Sequence, residues 1–167
     1  NTGVYVIEPE ILDYIPEAQN FDFAKDLFPL LMSKGIDIMA GNAEGYWRDV
    51  GNPESYRAAH EDVFNKKIKI DADGEIKQYP DGLLFTKTKG EIDKSVEILG
   101  TVVLGENVAL GKGVKLNNVV IGDNVSVGKE CKIRNTVIWN DVNVKHNVVL
   151  ESCVICDHNE IGQNVTA

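Results

Sequence analysis

The sequence is short of the features that mark several protein classes. Three cysteines in 167 residues are too few, and odd in number, for a disulfide framework, so a reducing cytoplasm is the expected setting. No stretch approaches the roughly 20 consecutive apolar residues that span a bilayer, and no signal-peptide pattern is present. Lys and Arg number 17 against 26 Asp and Glu, a formal net charge of −9. Neither nucleic acid nor an anionic membrane is therefore an expected partner, since both call for a basic face. Helical periodicity is missing from the whole second half. What is present is 43% hydrophobic content, enough to bury a core in one domain or two small ones.

From Leu99 onward the sequence repeats every 17 residues. One column runs Leu99, Leu116, Ile133, Leu150; the next runs Val103, Val120, Val137, Val154; a third runs Leu104, Ile121, Ile138, Ile155. Three more begin at Val108, Leu110 and Val114 and end at Asn159, Ile161 and Val165. Of these 24 positions only Asn159 is not apolar, where a 43% composition would put about ten apolar residues. Each period divides as 5 + 6 + 6, giving three short strands per coil. Stacked coils pair their strands in parallel around an aliphatic column, which is the physics of a hexapeptide β-helix. Gly and Asn recur where corners are expected: Gly113, Asn107, Asn124, Asn147 and Asn164 occupy positions suited to a left-handed backbone. The pattern resembles the left-handed hexapeptide β-helix family, and the handedness is implied by that resemblance. The last coil has no closing cap, and a solenoid needs one, so the natural polypeptide is expected to continue.

The first half reads as part of an α/β domain. Thr2–Ile7 is β-branched and aromatic, a predicted strand. Pro9 suits the start of a short helix through Ile15. Phe21–Lys34 has helical composition, kinked or restarted at Pro29 and ended by Gly35. Residues 36–40 and 45–50 are candidate strands. Asn52 can cap a helix that begins at Pro53 and runs to about Phe64. A connector follows at 66–95, with a hairpin of KIKI, the turn DADG and EIKQY. Two or three strands do not make a stable doubly wound sheet. With no initial Met, an amino-terminal half of the domain is expected to lie upstream.

The segments NTGVYVIEPEIL, FDFAKDLFPLL and GYWRDVGNPESYRAA, followed by a hexapeptide β-helix, resemble the carboxy half of sugar-nucleotide pyrophosphorylases. The closest type is mannose-1-phosphate guanylyltransferase. The resemblance covers essentially the whole chain; the order of the motifs is specific, while each alone is weak. It implies a partial α/β nucleotidyltransferase domain at 1–65 and a left-handed parallel β-helix with a 17-residue coil at 96–167. The implied reaction condenses a nucleoside triphosphate with a sugar 1-phosphate into an NDP-sugar, GDP-mannose by the closest type, and releases pyrophosphate. Self-association through the β-helix is a further expectation.

Within the motif Trp47-Arg48-Asp49-Val50-Gly51, the resemblance implies that Asp49 helps to hold Mg²⁺. Attack on the α-phosphorus builds charge on several oxygens, and a hard cation held by carboxylates stabilises it. The competing reading makes Asp49 a cap for the helix that follows. Asn1, Thr2 and Gly3 match a motif that lines the family's sugar pocket; the alternative is an ordinary strand start. The family's glycine-rich nucleotide loop, second metal-binding Asp and sugar-phosphate Lys are not in this sequence, so no catalytic residue is assigned and the isolated chain is expected to be inactive.

Three other readings compete. Hexapeptide β-helices also build acyltransferases, in which His146 or His158 would be a general base; their positions suit solvated corners better. Cys153, Cys156 and His158 invite zinc, but no fourth ligand is evident. A non-catalytic regulatory subunit would share the same two-part architecture.

Overall fold

A computed structural model describes residues 2–42, 44–68 and 74–167. The chain divides into two compact units, Asn1–Trp47 and Arg48–Ala167.

The first unit is built on short helical turns. A 3₁₀ turn spans Pro9–Tyr14 with Pro at its start. Asp22 caps the next element, its carboxylate accepting the Ala24 and Lys25 N–H groups at 2.8 Å. That element opens as a π-turn over Phe23–Leu27 and continues as α1 (Phe28–Ser33). Pro29, which lacks an N–H, stands at the beginning of α1, so the irregular turn falls where the regular hydrogen-bond ladder cannot run through. Tyr5 stacks on Phe23 at 5.3 Å and meets Phe28 edge-on at 5.1 Å, packing that suits ring quadrupoles.

The predicted strands at 2–7, 36–40 and 45–50 do not form ladders among the described residues. A strand exists through its neighbour, and no described segment pairs with any of these. Several of their apolar side chains stay in solvent: Val6 is fully exposed and Met39 is 93% exposed.

The second unit opens on α2 (Pro53–Phe64). Asn52 accepts the Ser55 N–H at 2.8 Å, and the Ser55 hydroxyl approaches the Asn52 N–H in return, a reciprocal cap. Then β1 (Glu75–Tyr79) turns at Pro80 and pairs antiparallel with β2 (Asp81–Thr86). The predicted hairpin placed KIKI opposite EIKQY; Lys69, Ile70 and the turn to Asp73 lie outside the described residues, and EIKQY pairs with DGLLFT instead.

The parallel ladder starts at β2, which pairs in register with β3 (Glu97–Leu104) from Asp81↔Leu99 to Thr86↔Leu104. Beyond it come β4 (Ala109–Leu110), β5 (Lys115–Ile121), β6 (Ser126–Val127), β7 (Lys132–Arg134) and β8 (Val137–Ile138). The last rungs are β9 (Asn143–Val144), β10 (Val149–Glu151), β11 (Val154–Ile155) and β12 (Glu160–Ile161). One sheet runs β1-β2-β3-β5-β7-β10 with β8 and β11 alongside; the other runs β4-β6-β9-β12. Register advances by 17 residues per coil, as in Leu116↔Ile133↔Leu150.

Two of the predicted columns are corrected by the packing. Ile98, not Leu99, stands over Leu116, because a bulge between Leu99 and Val102 adds one residue to that coil. The inward column beside it is Val102, Val119, Thr136, Cys153; Val103 and Val120 are only half-buried. Thr136 is tolerated inside because its hydroxyl donates to Arg134 O at 2.8 Å and accepts the Cys153 N–H at 3.2 Å, which satisfies it. Val120 and Val137 are apolar for a different reason: α2 lies over them. Arg57, His60, Glu61 and Phe64 face Val120 and Val137, and the Trp139 indole N–H donates to the Tyr56 hydroxyl at 3.1 Å.

The corners are left-handed throughout. Asn107, Asn124, Asp141 and His158 form one such column, and Asn118, Asn135 and Ser152 another. Their cost is offset by side chains that bond from coil to coil: Asp123, Asn140 and Asp157 accept the N–H groups of Glu106, Asp123 and Asn140 at 2.6–2.8 Å.

Candidate functional site

Each expected site residue has a definite place in one of the two units, apart from Asn1, which lies outside the described residues. Thr2 lines an open cleft of about 780 Å³ in the first unit, with Tyr5, Asn42, Glu44, Tyr46 and Trp47 also on its walls. The aromatic cluster of Tyr5, Phe23 and Phe28 pins this segment to the helical turn. Gly3 has φ +72° with nothing within 4 Å of where a Cβ would stand, so the backbone rather than crowding asks for glycine. The cleft offers a hydroxyl, an amide and a carboxylate beside exposed aromatic rings, the mixture that binds a polyol through hydrogen bonds and ring contact. Asn42 and Glu44 were not singled out in the sequence. They sit in a stretch without periodicity, and no pattern distinguishes them from an ordinary loop.

Asp49 belongs to the second unit. Its side chain is exposed, and among the described residues no hydrogen bond or ion pair engages its carboxylate. The cap of α2 is Asn52, so the capping role considered for Asp49 is already filled by another residue. An exposed carboxylate without a protein partner fits as one oxygen ligand of a hard divalent cation. It is a single ligand: no group of three or more His, Cys, Asp or Glu that could hold a metal occurs among the described residues. Cys153 and Cys156 do not converge either. Cys153 is half-buried in an inward column, and Cys156 is exposed.

Arg48, assigned no role within its motif from the sequence, has a strong partner. Its Nε donates to Asp62 Oδ2 at 2.7 Å, and a second guanidinium nitrogen bonds the same oxygen. Lys67 Nζ reaches Asp62 Oδ1 at 2.7 Å. The Asp62 side chain is only 5% exposed, so this is a buried carboxylate between two cations. His146 sits at a corner with its Nδ1 accepting the Lys129 N–H at 3.1 Å, a structural role in the coil-to-coil bonding. His158 lies 3.7 Å from Asp141 and is largely exposed.

Two family models match the chain. Residues 82–167 match the "EIF2B subunit epsilon LbH domain", a left-handed β-helix, and residues 1–66 match "Nucleotidyl transferase". The chain belongs to the nucleotidyl transferases that carry a left-handed β-helix. Among curated relatives of this family, UTP–glucose-1-phosphate uridylyltransferase of Synechocystis is 34% identical over 116 residues, covering 70% of this chain and 30% of the relative. Mannose-1-phosphate guanylyltransferase of Mycobacterium tuberculosis is 26% identical over 118 residues, 70% of this chain and 32% of the relative. Glucose-1-phosphate adenylyltransferase of Bacillus cereus is 37% identical over 75 residues, 41% of this chain and 20% of the relative. The chain therefore spans about a third or less of the length of these nucleotidyl transferases. No described helix is long and apolar enough to cross a membrane.

Proposed function

We propose that this chain is the sugar-facing and metal-facing part of an enzyme that joins a nucleoside triphosphate to a sugar 1-phosphate and releases pyrophosphate. The observation that carries the reading is the cleft holding Thr2, Asn42 and Glu44 among Tyr5, Tyr46 and Trp47. Thr2, with Gly3 and Asn1 beside it in sequence, would hold the sugar. The relatives' names differ in base and in sugar, but all carry a hexose 1-phosphate, so sugar 1-phosphate is the common substrate class. GDP-mannose is the product we favour, on the order of the motifs. Asp49 would be one ligand of Mg²⁺, which when bound supplies charge stabilisation for the phosphate oxygens. The β-helix would mediate self-association.

Saturation-transfer NMR on this chain tests the sugar site. Mannose 1-phosphate should show contact, and Thr2→Val with Glu44→Gln should weaken it at least fivefold. No contact with any hexose 1-phosphate would contradict the assignment. A second reading keeps support from the name of the β-helix model, that of an EIF2B subunit: a regulatory subunit without turnover. Pyrophosphate release that depends on Asp49 separates the two.

A further inference from the structure

The segment that carries Asp49 has no ladder and no helix of its own: residues 48–51 lie between the cleft-bearing unit and the cap of α2. A metal ligand on such a segment needs something to hold its backbone. We propose that Asp62 is a positioning residue, which fixes the Asp49 carboxylate by gripping the neighbouring Arg48.

The geometry is that of a clamp. Asp62 is in the last turn of α2, two residues before its end, and its Oδ2 takes two donors from the Arg48 guanidinium. An arginine fork on one carboxylate fixes orientation as well as distance. The other oxygen is engaged by Lys67, so the carboxylate cannot swing away without leaving a buried charge short of a partner. The helix is anchored through its first turn, by the Asn52–Ser55 cap and by the Tyr56–Trp139 contact with the solenoid. Arg48 thus links Asp49 to the most regular part of the molecule. Sequence order alone separates Arg48 from Asp62 by 14 residues, which is why no local motif shows the pair.

This inference rests on Asp49 being a metal ligand, but its test does not require that reading to hold. Two readouts are taken on the ¹⁵N-labelled chain: the ¹⁵N{¹H} NOE of the Asp49, Val50 and Gly51 amides, and their paramagnetic broadening by Mn²⁺. In the wild-type chain these amides should give NOEs close to those of α2. Asp62→Asn should lower them toward loop values and weaken the Mn²⁺ broadening at Asp49 at least threefold. Lys67→Met, which removes the other partner, should leave both unchanged, and the exchanged pair R48D/D62R should restore the NOE. If Asp62→Asn leaves the NOEs of residues 49–51 unchanged, or if Lys67→Met lowers them equally, Asp62 does not position this segment. If Mn²⁺ broadens nothing near Asp49 in the wild-type chain while the NOE pattern follows the expected order, the metal assignment fails and the clamp stands.

Discussion

At the scale of single residues, the coils leave little slack. A Cβ on Gly128 would lie 2.6 Å from the Lys145 carbonyl carbon, whereas one on Gly162 would meet only a Val165 methyl at 3.9 Å. Gly128→Ala should therefore lower stability by about 1–3 kcal/mol, the usual cost of overpacking, while Gly162→Ala should change it little; thermal unfolding of the two variants checks this. Cys131 is fully buried in its column, and burial raises its thiol pKa. A group whose folded pKa is raised adds stability below its ordinary range and loses it as pH climbs. Alkaline titration should thus weaken the fold as the unfolded chain's thiol ionises, and Cys131→Ala should remove that part of the dependence. In the native state a thiol reagent should find the exposed Cys156 first and Cys131 last. At the acid end, the Ser95 hydroxyl and N–H bonds hold the exposed Asp93 carboxyl below its ordinary range; the contribution of that turn is present above the ordinary carboxylate pKa and fades as pH falls through the lowered value.

At the scale of elements, α2 is where local sequence and tertiary packing agree. Its cap and its length were legible in the pair Asn52-Pro53 and in the run to Phe64, because capping is a local affair; the answering Ser55 hydroxyl came with the structure. Asn52→Ala should cost about 1 kcal/mol, read as a lower unfolding temperature and faster exchange of the first-turn amides. Its docking was not legible. Val120 and Val137 share the 17-residue period of the core columns, and nothing local tells an inward stripe from one covered by a helix. Thr136 misled in the opposite direction, since a hydroxyl satisfied by its own neighbours can stand in a core. Trp139→Ala should free α2, with amide exchange rising across Pro53–Phe64 while that of Val119 and Ile121 stays slow; Tyr56→Phe should do the same more weakly, by the roughly 0.5–1.5 kcal/mol of one hydrogen bond. Equal loss of protection in the solenoid would contradict this order.

At the scale of the whole molecule, the sequence pattern made the solenoid plain because each coil repeats the same burial problem. The first unit was harder, since a strand is specified by a partner as much as by its own residues, and the described residues contain none for 2–7, 36–40 or 45–50. The candidate site follows the same division. Thr2, Gly3 and Asp49 were visible through their motifs, while Asn42, Glu44 and the Arg48–Asp62 clamp depend on three-dimensional neighbours. The reading proposed for this chain is that it contributes sugar and metal contacts to nucleotidyl transfer. Its most direct test is pyrophosphate release from GTP, mannose 1-phosphate and Mg²⁺, measured for the natural gene product, for its Asp49→Asn variant and for the 167-residue chain alone. Turnover is expected from the gene product, a loss of at least 100-fold in the variant, and none from the isolated chain. Turnover that survives Asp49→Asn, or a gene product that turns over no hexose 1-phosphate with any nucleoside triphosphate, would contradict it.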